Sequence, residues 1–173
     1  MKVLISVASR HGATLDIAEA IRAELEASKV EVDLLAPERV ADVSPYDAVV
    51  IGSSVYAGRW LAPARDLIDR QFAQLARKPV WLFSSGPIGD PPKPTEPPPD
   101  GLATTRRLNA MDHQVFEGRL DRATLGFGER AVVRVVGAAD GDFRPWQAVR
   151  AWAQRISSTL PSERTVPATQ GVG

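Results

Sequence analysis

The sequence contains no cysteine and only two histidines, His11 and His113. Without cysteine the chain cannot form a disulfide, a thiolate metal site or a cysteine nucleophile. With so few histidines a zinc site is not expected either, and we predict no metal centre. These absences remove disulfide-stabilised scaffolds and thiol-based catalysis from the functions open to this chain.

The chain also lacks an excess of charge of either sign, because 21 Lys and Arg residues balance 21 Asp and Glu residues. We therefore expect neither nucleic acid nor a membrane surface as a partner. No apolar run reaches the roughly 18 residues that a membrane helix requires, so we predict no integral membrane segment. Met1-Lys2 leads directly into a strand-like run without the apolar core of a signal peptide, and we expect a cytoplasmic protein.

Short apolar runs alternate with amphipathic helical patterns along the chain. The predicted elements are strand 2–8, helix 15–28, strand 30–35, strand 48–52, helix 61–77, strand 79–84 and a last helix that begins near residue 146 and runs through residue 160. Buried strands that alternate with helices predict a parallel sheet covered on both faces. At 173 residues we expect one domain over residues 1–160, followed by a flexible polar tail at 161–173.

Half of the 14 prolines fall between Pro87 and Pro99. Such a segment forms either a linker or polyproline ligand, or a rigid loop beside a site. A domain boundary here would leave a short remainder without a clear strand pattern of its own, which favours the loop.

Three loops follow the carboxyl ends of predicted buried strands, at Ser9–Thr14, Ser53–Trp60 and Ser84–Pro92. All three are rich in glycine, serine or aromatic residues. In an open parallel sheet, ligands bind outside the carboxyl ends of the strands, where the strand order reverses. The three loops are therefore expected to converge on one binding site.

The first of these loops has the composition of a phosphate site. Ser9 and Thr14 offer hydroxyl donors, Gly12 allows a close approach of the backbone, and the following helix directs its N-terminal N–H groups at the same place. The loop matches neither a Walker A motif nor a G-x-G-x-x-G motif, which argues against ATP and NAD. Taken alone, a loop of this kind is more often a capped helix start.

The other two loops offer groups suited to a planar ring. Tyr56 could stack on such a ring, or it could pack with Trp60 on the following helix, which is the interpretation we favour for Trp60. Gly86 and Gly89 could bring backbone N–H groups close to ring heteroatoms, or could form a plain Gly-Pro turn.

Together these loops resemble those of the flavodoxin fold family. The family's phosphate loop has the pattern T/S-x-T-G-x-T, which Ser9-Arg10-His11-Gly12-Ala13-Thr14 matches except at His11. Tyr56 takes the place of the aromatic residue that stacks on the flavin, and Gly86-Pro87-Ile88-Gly89-Asp90 resembles a Gly-x-Gly-Asp region with an insertion. The resemblance implies an α/β three-layer sandwich, with a five-stranded parallel sheet of order 2-1-3-4-5, helices on both faces, and bound FMN.

Within that fold the chain is most similar to the menaquinone-dependent protoporphyrinogen oxidase-like flavodoxin-domain group. The similarity covers about residues 1–158 and runs through Arg10, Ile51–Gly58, His113–Asp121 and Gly141–Arg144. It implies that the fifth strand is His113–Leu120.

The resemblance also implies where FMN binds. The cofactor-binding residues it suggests are Ser9, Arg10, His11, Gly12, Ala13, Thr14, Ser53, Ser54, Val55, Tyr56, Ala57, Gly58, Ser85, Gly86, Pro87, Ile88 and Gly89. Because the flavin carries the redox chemistry, no protein side chain is expected to be catalytic.

Two functions are compatible with that cofactor. One is an FMN-dependent oxidoreductase whose small-molecule partner is a quinone or a porphyrinogen, and the other is a flavodoxin that carries electrons to a redox partner protein. Carriers of this fold are typically acidic, whereas this chain is balanced. No aromatic residue lies between Ser84 and Asp100, so one ring face could stay open to a substrate. Both observations favour the enzyme.

Several basic residues have two interpretations. The pairs Arg106-Arg107 and Arg119 with Arg122 could bind substrate carboxylates, although arginines of this kind more often form a solvated surface. His113 could donate a proton near the flavin, or it could be an ordinary histidine at the edge of the sheet.

Overall fold

A parallel sheet with a helical layer on each face forms the centre of the molecule. A computed structural model describes residues 1–86, 98–120 and 141–160. Its elements, in chain order, are β1 (Lys2–Ala8), α1 (Ala13–Ala27), β2 (Glu31–Leu35), a 3₁₀ turn (Pro37–Arg39), β3 (Ala48–Tyr56), β4 (Arg59–Trp60), α2 (Ala62–Leu75), β5 (Val80–Ser85), α3 (Pro99–Leu108), β6 (Asp112–Phe116), β7 (Arg119–Leu120), β8 (Gly141–Asp142) and α4 (Trp146–Thr159).

The strand order confirms the expected topology. The parallel strands lie in the order β2-β1-β3-β5-β6, which is 2-1-3-4-5 when they are numbered along the chain. The register places Ala8 opposite Ser53 and Ser53 opposite Ser84. The carboxyl ends of the three central strands therefore meet at one edge of the sheet, where the predicted site lies.

Two apolar clusters cover the two faces of the sheet. On one face, the α1 stripe of Ile17, Ile21 and Leu25 packs with Trp152 of α4. On the other face, α2 packs against a second cluster around Leu67. Alternate β1 residues serve the two clusters because successive side chains of a strand point to opposite faces. The predicted three-layer sandwich is confirmed.

The loop predicted at Ser53–Trp60 is wrong, because β3 continues through Tyr56 and turns back as a short hairpin. Val55 pairs with Trp60 and Tyr56 pairs with Arg59 in antiparallel register. The two turn residues Ala57 and Gly58 have φ of 49° and 75°. Two central residues with positive φ are typical of the two-residue hairpin turns that match strand twist.

Helix α3 was not predicted, because it begins inside the proline-rich segment. Pro98 occupies the N-cap and is buried, and Pro99 is the first helical residue. Proline suits that position because its missing N–H would have had no helical partner. The helix ends at Asn109, whose φ of 49° is the left-handed conformation common at helix ends. The proline-rich residues 87–97 lie outside the described residues.

The fifth parallel strand is shorter than predicted. It ends at Phe116, and Arg119–Leu120 pairs instead with Gly141–Asp142 in a separate antiparallel ladder. The predicted tail at 161–173 lies outside the described residues, so the domain bounds stay a prediction. None of the helices in the described ranges is both long and apolar enough to cross a bilayer.

Candidate functional site

The loop between β1 and α1 directs an uncapped helix end at the sheet edge. Gly12 is the N-cap of α1 with φ of 84°, and no side chain caps the helix. The first helical hydrogen bond runs from the Asp16 N–H to the Gly12 carbonyl at 3.0 Å. The N–H groups before Asp16 in the first turn therefore have no helical acceptor. This geometry fits an anion better than the alternative of a capped helix start.

The hydroxyl of Ser9 is a second indication of an anion site. Ser9 Oγ is shielded from solvent and has no hydrogen-bond partner within the described part of the chain. Buried polar groups in folded proteins are nearly always paired, so an unpaired hydroxyl needs an explanation. Its place beside an uncapped helix N-terminus fits a phosphate group. Thr14 is buried in the first turn of the same helix.

Arg10 and Tyr56 join the first loop to the β3 hairpin. Tyr56 is 44% exposed at the end of β3. The guanidinium carbon of Arg10 lies 4.3 Å from the centre of the Tyr56 ring, which is a favourable cation–π distance. The structure therefore brings together the predicted phosphate loop and the predicted stacking residue, with Arg10 and His11 exposed beside them.

The hydroxyls of Ser53 and Ser54 hold the backbone around the site. Ser53 Oγ accepts a hydrogen bond from the Leu61 N–H at 3.0 Å and donates one to the Ser54 carbonyl at 2.9 Å. Ser54 Oγ donates to the Ala8 carbonyl at 3.4 Å. These contacts fix the end of β1 and the start of α2 relative to β3.

Close packing at Gly86 brings the third loop against the hairpin. A Cβ atom at Gly86 would lie 2.9 Å from the Cβ atom of Val55. The Gly86 N–H donates to the Phe116 carbonyl at 3.3 Å, and Ser85 is buried at the end of β5. Because β5 continues through Ser85, the loop begins at Gly86 and not at the predicted Ser84. Pro87, Ile88, Gly89 and Asp90 lie outside the described residues.

A buried polar chain below the site links three elements. The Trp60 indole N–H donates to Ser84 Oγ at 2.8 Å, and Ser84 Oγ lies 2.9 Å from His113 Nε2. Burial lowers the pKa of His113, although Asp112 opposes the shift. If the half-buried imidazole is neutral and accepts the Ser84 proton at Nε2, the Ser84 oxygen is left to accept the Trp60 N–H, and these three groups are paired. Of the two interpretations of His113, this packing favours the structural one.

Burial also decides the interpretation of Trp60. Its side chain is 2% exposed and packs in the cluster that covers α2. The expectation that Trp60 packs, rather than stacks on a ligand, is confirmed. The link through Ser84 could not be predicted, because a serine at the end of a strand carries no sequence signal for its partner.

The arginines singled out in the sequence lie in two different places in the structure. Arg107 of α3 forms an ion pair with Asp69 and lies 4.4 Å above the Phe72 ring, and Arg106 is exposed. The contacts of Arg107 favour the surface interpretation for this pair. Arg119 Nη1 lies 3.9 Å from Asp16 in the first turn of α1. Arg122 lies outside the described residues.

Within the described ranges no cluster of His, Asp and Glu side chains could hold a metal ion.

Known proteins resemble this chain over nearly its whole length. Protoporphyrinogen IX dehydrogenase (quinone) of Escherichia coli strain K12 is 22% identical over 172 residues, which cover 91% of this chain and 95% of the relative. Oxidised flavodoxin 1 from Bacillus cereus superposes with a TM-score of 0.64 at 13% identity, over 93% of this chain and 100% of that structure. A flavodoxin from the domain Archaea has a TM-score of 0.62 at 18% identity, over 91% and 97%.

A family model described as a flavodoxin domain matches residues 4–144. That range contains most of β1, the uncapped start of α1, the β3 hairpin and the edge strand β6. The uncapped helix end and the unpaired Ser9 hydroxyl are compatible with the phosphate of a flavin nucleotide. The chain therefore belongs to the flavodoxin domain family, and this membership implies FMN as its cofactor.

Proposed function

We propose that this protein is an FMN-dependent oxidoreductase of the protoporphyrinogen oxidase or quinone reductase type. It would transfer electrons between an organic substrate and a quinone or a similar acceptor, and we expect it in the cytoplasm. The observation that carries the proposal is similarity along 95% of the length of a quinone-linked dehydrogenase, at 22% identity. The balance of 21 basic and 21 acidic residues supports a small-molecule partner over a charge-steered protein partner.

The β1–α1 loop would bind the cofactor phosphate. Ser9 Oγ and the N–H groups of Ala13 and Thr14 would donate hydrogen bonds, and Gly12 would leave room for the anion, because a Cβ atom there would meet nothing within 4 Å. The partial positive charge at the start of α1 adds to the attraction. Arg10 and His11 would lie at the rim.

The β3 hairpin would bind the ring. Tyr56 is exposed and held beside the phosphate loop by Arg10. The neighbouring residues of the hairpin would position Tyr56, namely Ser53, Ser54, Val55, Ala57 and Gly58. The edge of the ring would be lined by Ser85 and Gly86, and we propose that Pro87, Ile88 and Gly89 also belong to this edge. Bound FMN supplies the redox chemistry, and the protein sets its orientation and access.

The test begins with binding. Purified protein is titrated with FMN and with riboflavin, which lacks the phosphate, while flavin fluorescence is followed. We expect FMN to bind more tightly than riboflavin. Equal affinities would contradict the phosphate loop, and no binding of either flavin would contradict the whole site.

The reaction is tested by anaerobic reduction of the FMN-loaded protein. We expect a soluble naphthoquinone to reoxidise it with saturable kinetics, and protoporphyrinogen IX to reduce the oxidised form. The second candidate is an electron carrier, which the full-length likeness to flavodoxin structures favours. A carrier would instead be reoxidised by a protein acceptor such as a cytochrome and would show no saturation with the quinone.

A further inference from the structure

Arg144 is a charged side chain buried beside the first turn of α1. Its side chain is only 5% exposed. Nε and Nη2 donate to the two carboxylate oxygens of Asp142 at 2.7 and 2.6 Å, while Nη1 donates to Asp16 at 2.6 Å. Nη1 also lies 3.4 Å from the Ala13 carbonyl. One guanidinium therefore connects β8 to a helix that begins 131 residues earlier in the chain.

These contacts account for the burial of the charge. A buried guanidinium is tolerated only when carboxylates pair with it, and Asp142 does so through the two-point geometry that arginine favours. The Trp146 ring packs on it, with the guanidinium carbon 4.4 Å from the ring centre. The hydrogen bond from Arg144 holds the pKa of Asp142 below its usual value, so this carboxylate stays charged near neutral pH.

The position of Asp16 means that its ion pair with Arg144 affects the charge near the cofactor phosphate. Asp16 is the fourth residue of α1 and lies in its first turn. A carboxylate at a helix start favours the helix, but it repels a phosphate bound at the same end. Arg144 binds the Asp16 carboxylate directly, and Arg119 lies 3.9 Å from it. The positive charges offset the carboxylate where the phosphate would bind.

We propose that Arg144 is a positioning residue for the cofactor phosphate, which holds the first turn of α1 through Ala13 and Asp16 and cancels the Asp16 charge. This inference rests on the phosphate loop of the proposed function. It gives the segment Gly141-Asp142-Phe143-Arg144 a role: β8 and the residues after it carry the arginine to the loop. Arg144 acts through Asp16 and Ala13 and is not itself a catalytic residue.

The test compares FMN with riboflavin in Arg144→Gln. We expect the dissociation constant for FMN to rise about 10-fold or more, and that for riboflavin to change less than about 2-fold. Arg107→Gln is the matched control, because Arg107 also pairs with an aspartate and stacks on an aromatic ring, but at the α2–α3 surface. It should bind both flavins as the wild type does.

A second substitution tests the charge argument. Asp16→Asn keeps an oxygen acceptor for Arg144 and removes only the charge, so it should tighten FMN binding several-fold in the wild-type background and leave riboflavin binding unchanged. In Arg144→Gln it should restore most of the lost FMN affinity. If Arg144→Gln does not fold, the single variant Asp16→Asn still tests the proposal. FMN binding by Asp16→Asn that is unchanged or weaker than that of the wild type overturns the charge cancellation.

The outcomes separate this inference from the proposed function. Normal FMN binding by Arg144→Gln, or an equal loss of FMN and riboflavin affinity, overturns the positioning role while the phosphate loop stands. Failure of the wild-type protein to prefer FMN over riboflavin overturns the phosphate loop itself.

Discussion

Trp60 donates its indole N–H to Ser84 Oγ at 2.8 Å, in a buried region directly below the carboxyl edge of the sheet. The two residues belong to β4 and β5, which do not pair with each other. The same Ser84 oxygen lies 2.9 Å from His113 Nε2 on β6. One hydroxyl therefore joins the hairpin that carries Tyr56 to the edge strand of the sheet.

Removal of that hydroxyl should destabilise the protein. Ser84→Ala leaves a buried indole N–H and a half-buried imidazole nitrogen without that partner, and we expect the free energy of unfolding in urea to fall by about 1–3 kcal/mol. Ser157→Ala is the control, because Ser157 Oγ makes an exposed bond to the Gln154 carbonyl on α4. It should change stability by less than about 0.5 kcal/mol. Equal effects of the two variants would contradict the importance of the buried chain.

His113 should make the stability of the protein depend on pH in mildly acidic solution. Burial lowers its pKa in the folded state below the ordinary 6.5. The unfolded chain therefore takes up a proton that the folded chain resists, and stability is lost as the pH falls below about 6.5. The slope is at most about 1.4 kcal/mol per pH unit.

The measurement compares wild type with His113→Gln, which does not titrate, by urea unfolding between pH 5 and 8. We expect the unfolding free energy of the wild type minus that of His113→Gln to be constant above pH 7.5. Below pH 6.5 this difference should fall, because only the wild type loses stability through His113. Asp33 and Asp142 also have lowered pKa values in the folded state, so they too reduce stability when they protonate. They do so only at more acid pH than His113. Parallel curves for the two proteins would show that His113 is not the titrating group.

Elements with a regular apolar pattern could be predicted from the sequence. The bounds predicted for β1 agree with the structure, and the α1 stripe of Ile17, Ile21 and Leu25 is buried as expected. The local spacing of apolar residues predicts which helix face or which strand is buried, so this prediction requires no knowledge of distant residues. The strand order came from the family resemblance, since spacing does not specify which strands pair.

Features that depend on distant partners could not be predicted. Ser53 and Ser54 are typical loop residues, yet they extend β3 by pairing with Ser84 and Ser85 of β5. Their hydroxyls also bond to backbone atoms of distant residues. Pro98 and Pro99 indicated a loop, although proline is also well suited to a helix start. The pairing of Arg144 with Asp16 spans 128 residues, and no local pattern reports it.

Gly52 should not tolerate a side chain. It pairs with Phe83 across β3 and β5, and a Cβ atom at Gly52 would overlap the Phe83 ring. That ring is fully buried and packs against Phe116 and Trp152 at centroid distances of 6.2 and 6.1 Å, so it cannot move freely. We expect Gly52→Ala to cost about 1–3 kcal/mol of stability through overpacking.

A double-mutant cycle with Phe83→Leu tests the cause. The smaller side chain should relieve the overlap, so the cost of Gly52→Ala should shrink in the Phe83→Leu background. Additive costs for the two substitutions would contradict a direct clash between the new methyl group and the Phe83 ring.

A charge placed at Gly12 should discriminate between a phosphate site and a plain helix start. Gly12 has a φ of 84° and open space around it, so Asp and Asn should fit equally well and suffer similar backbone strain. The two variants therefore differ only in charge, and Gly12→Asn controls for every other effect of Gly12→Asp.

A carboxylate at Gly12 would repel a phosphate bound at the start of α1, so Gly12→Asp should bind FMN at least about 10-fold more weakly than Gly12→Asn. Riboflavin carries no phosphate and should bind the two variants alike. Raising the salt concentration should narrow the FMN difference, because exposed charges are screened. If Asp and Asn at this position bind FMN equally well, the phosphate does not lie at the N-terminus of α1, and the uncapped helix end needs another explanation.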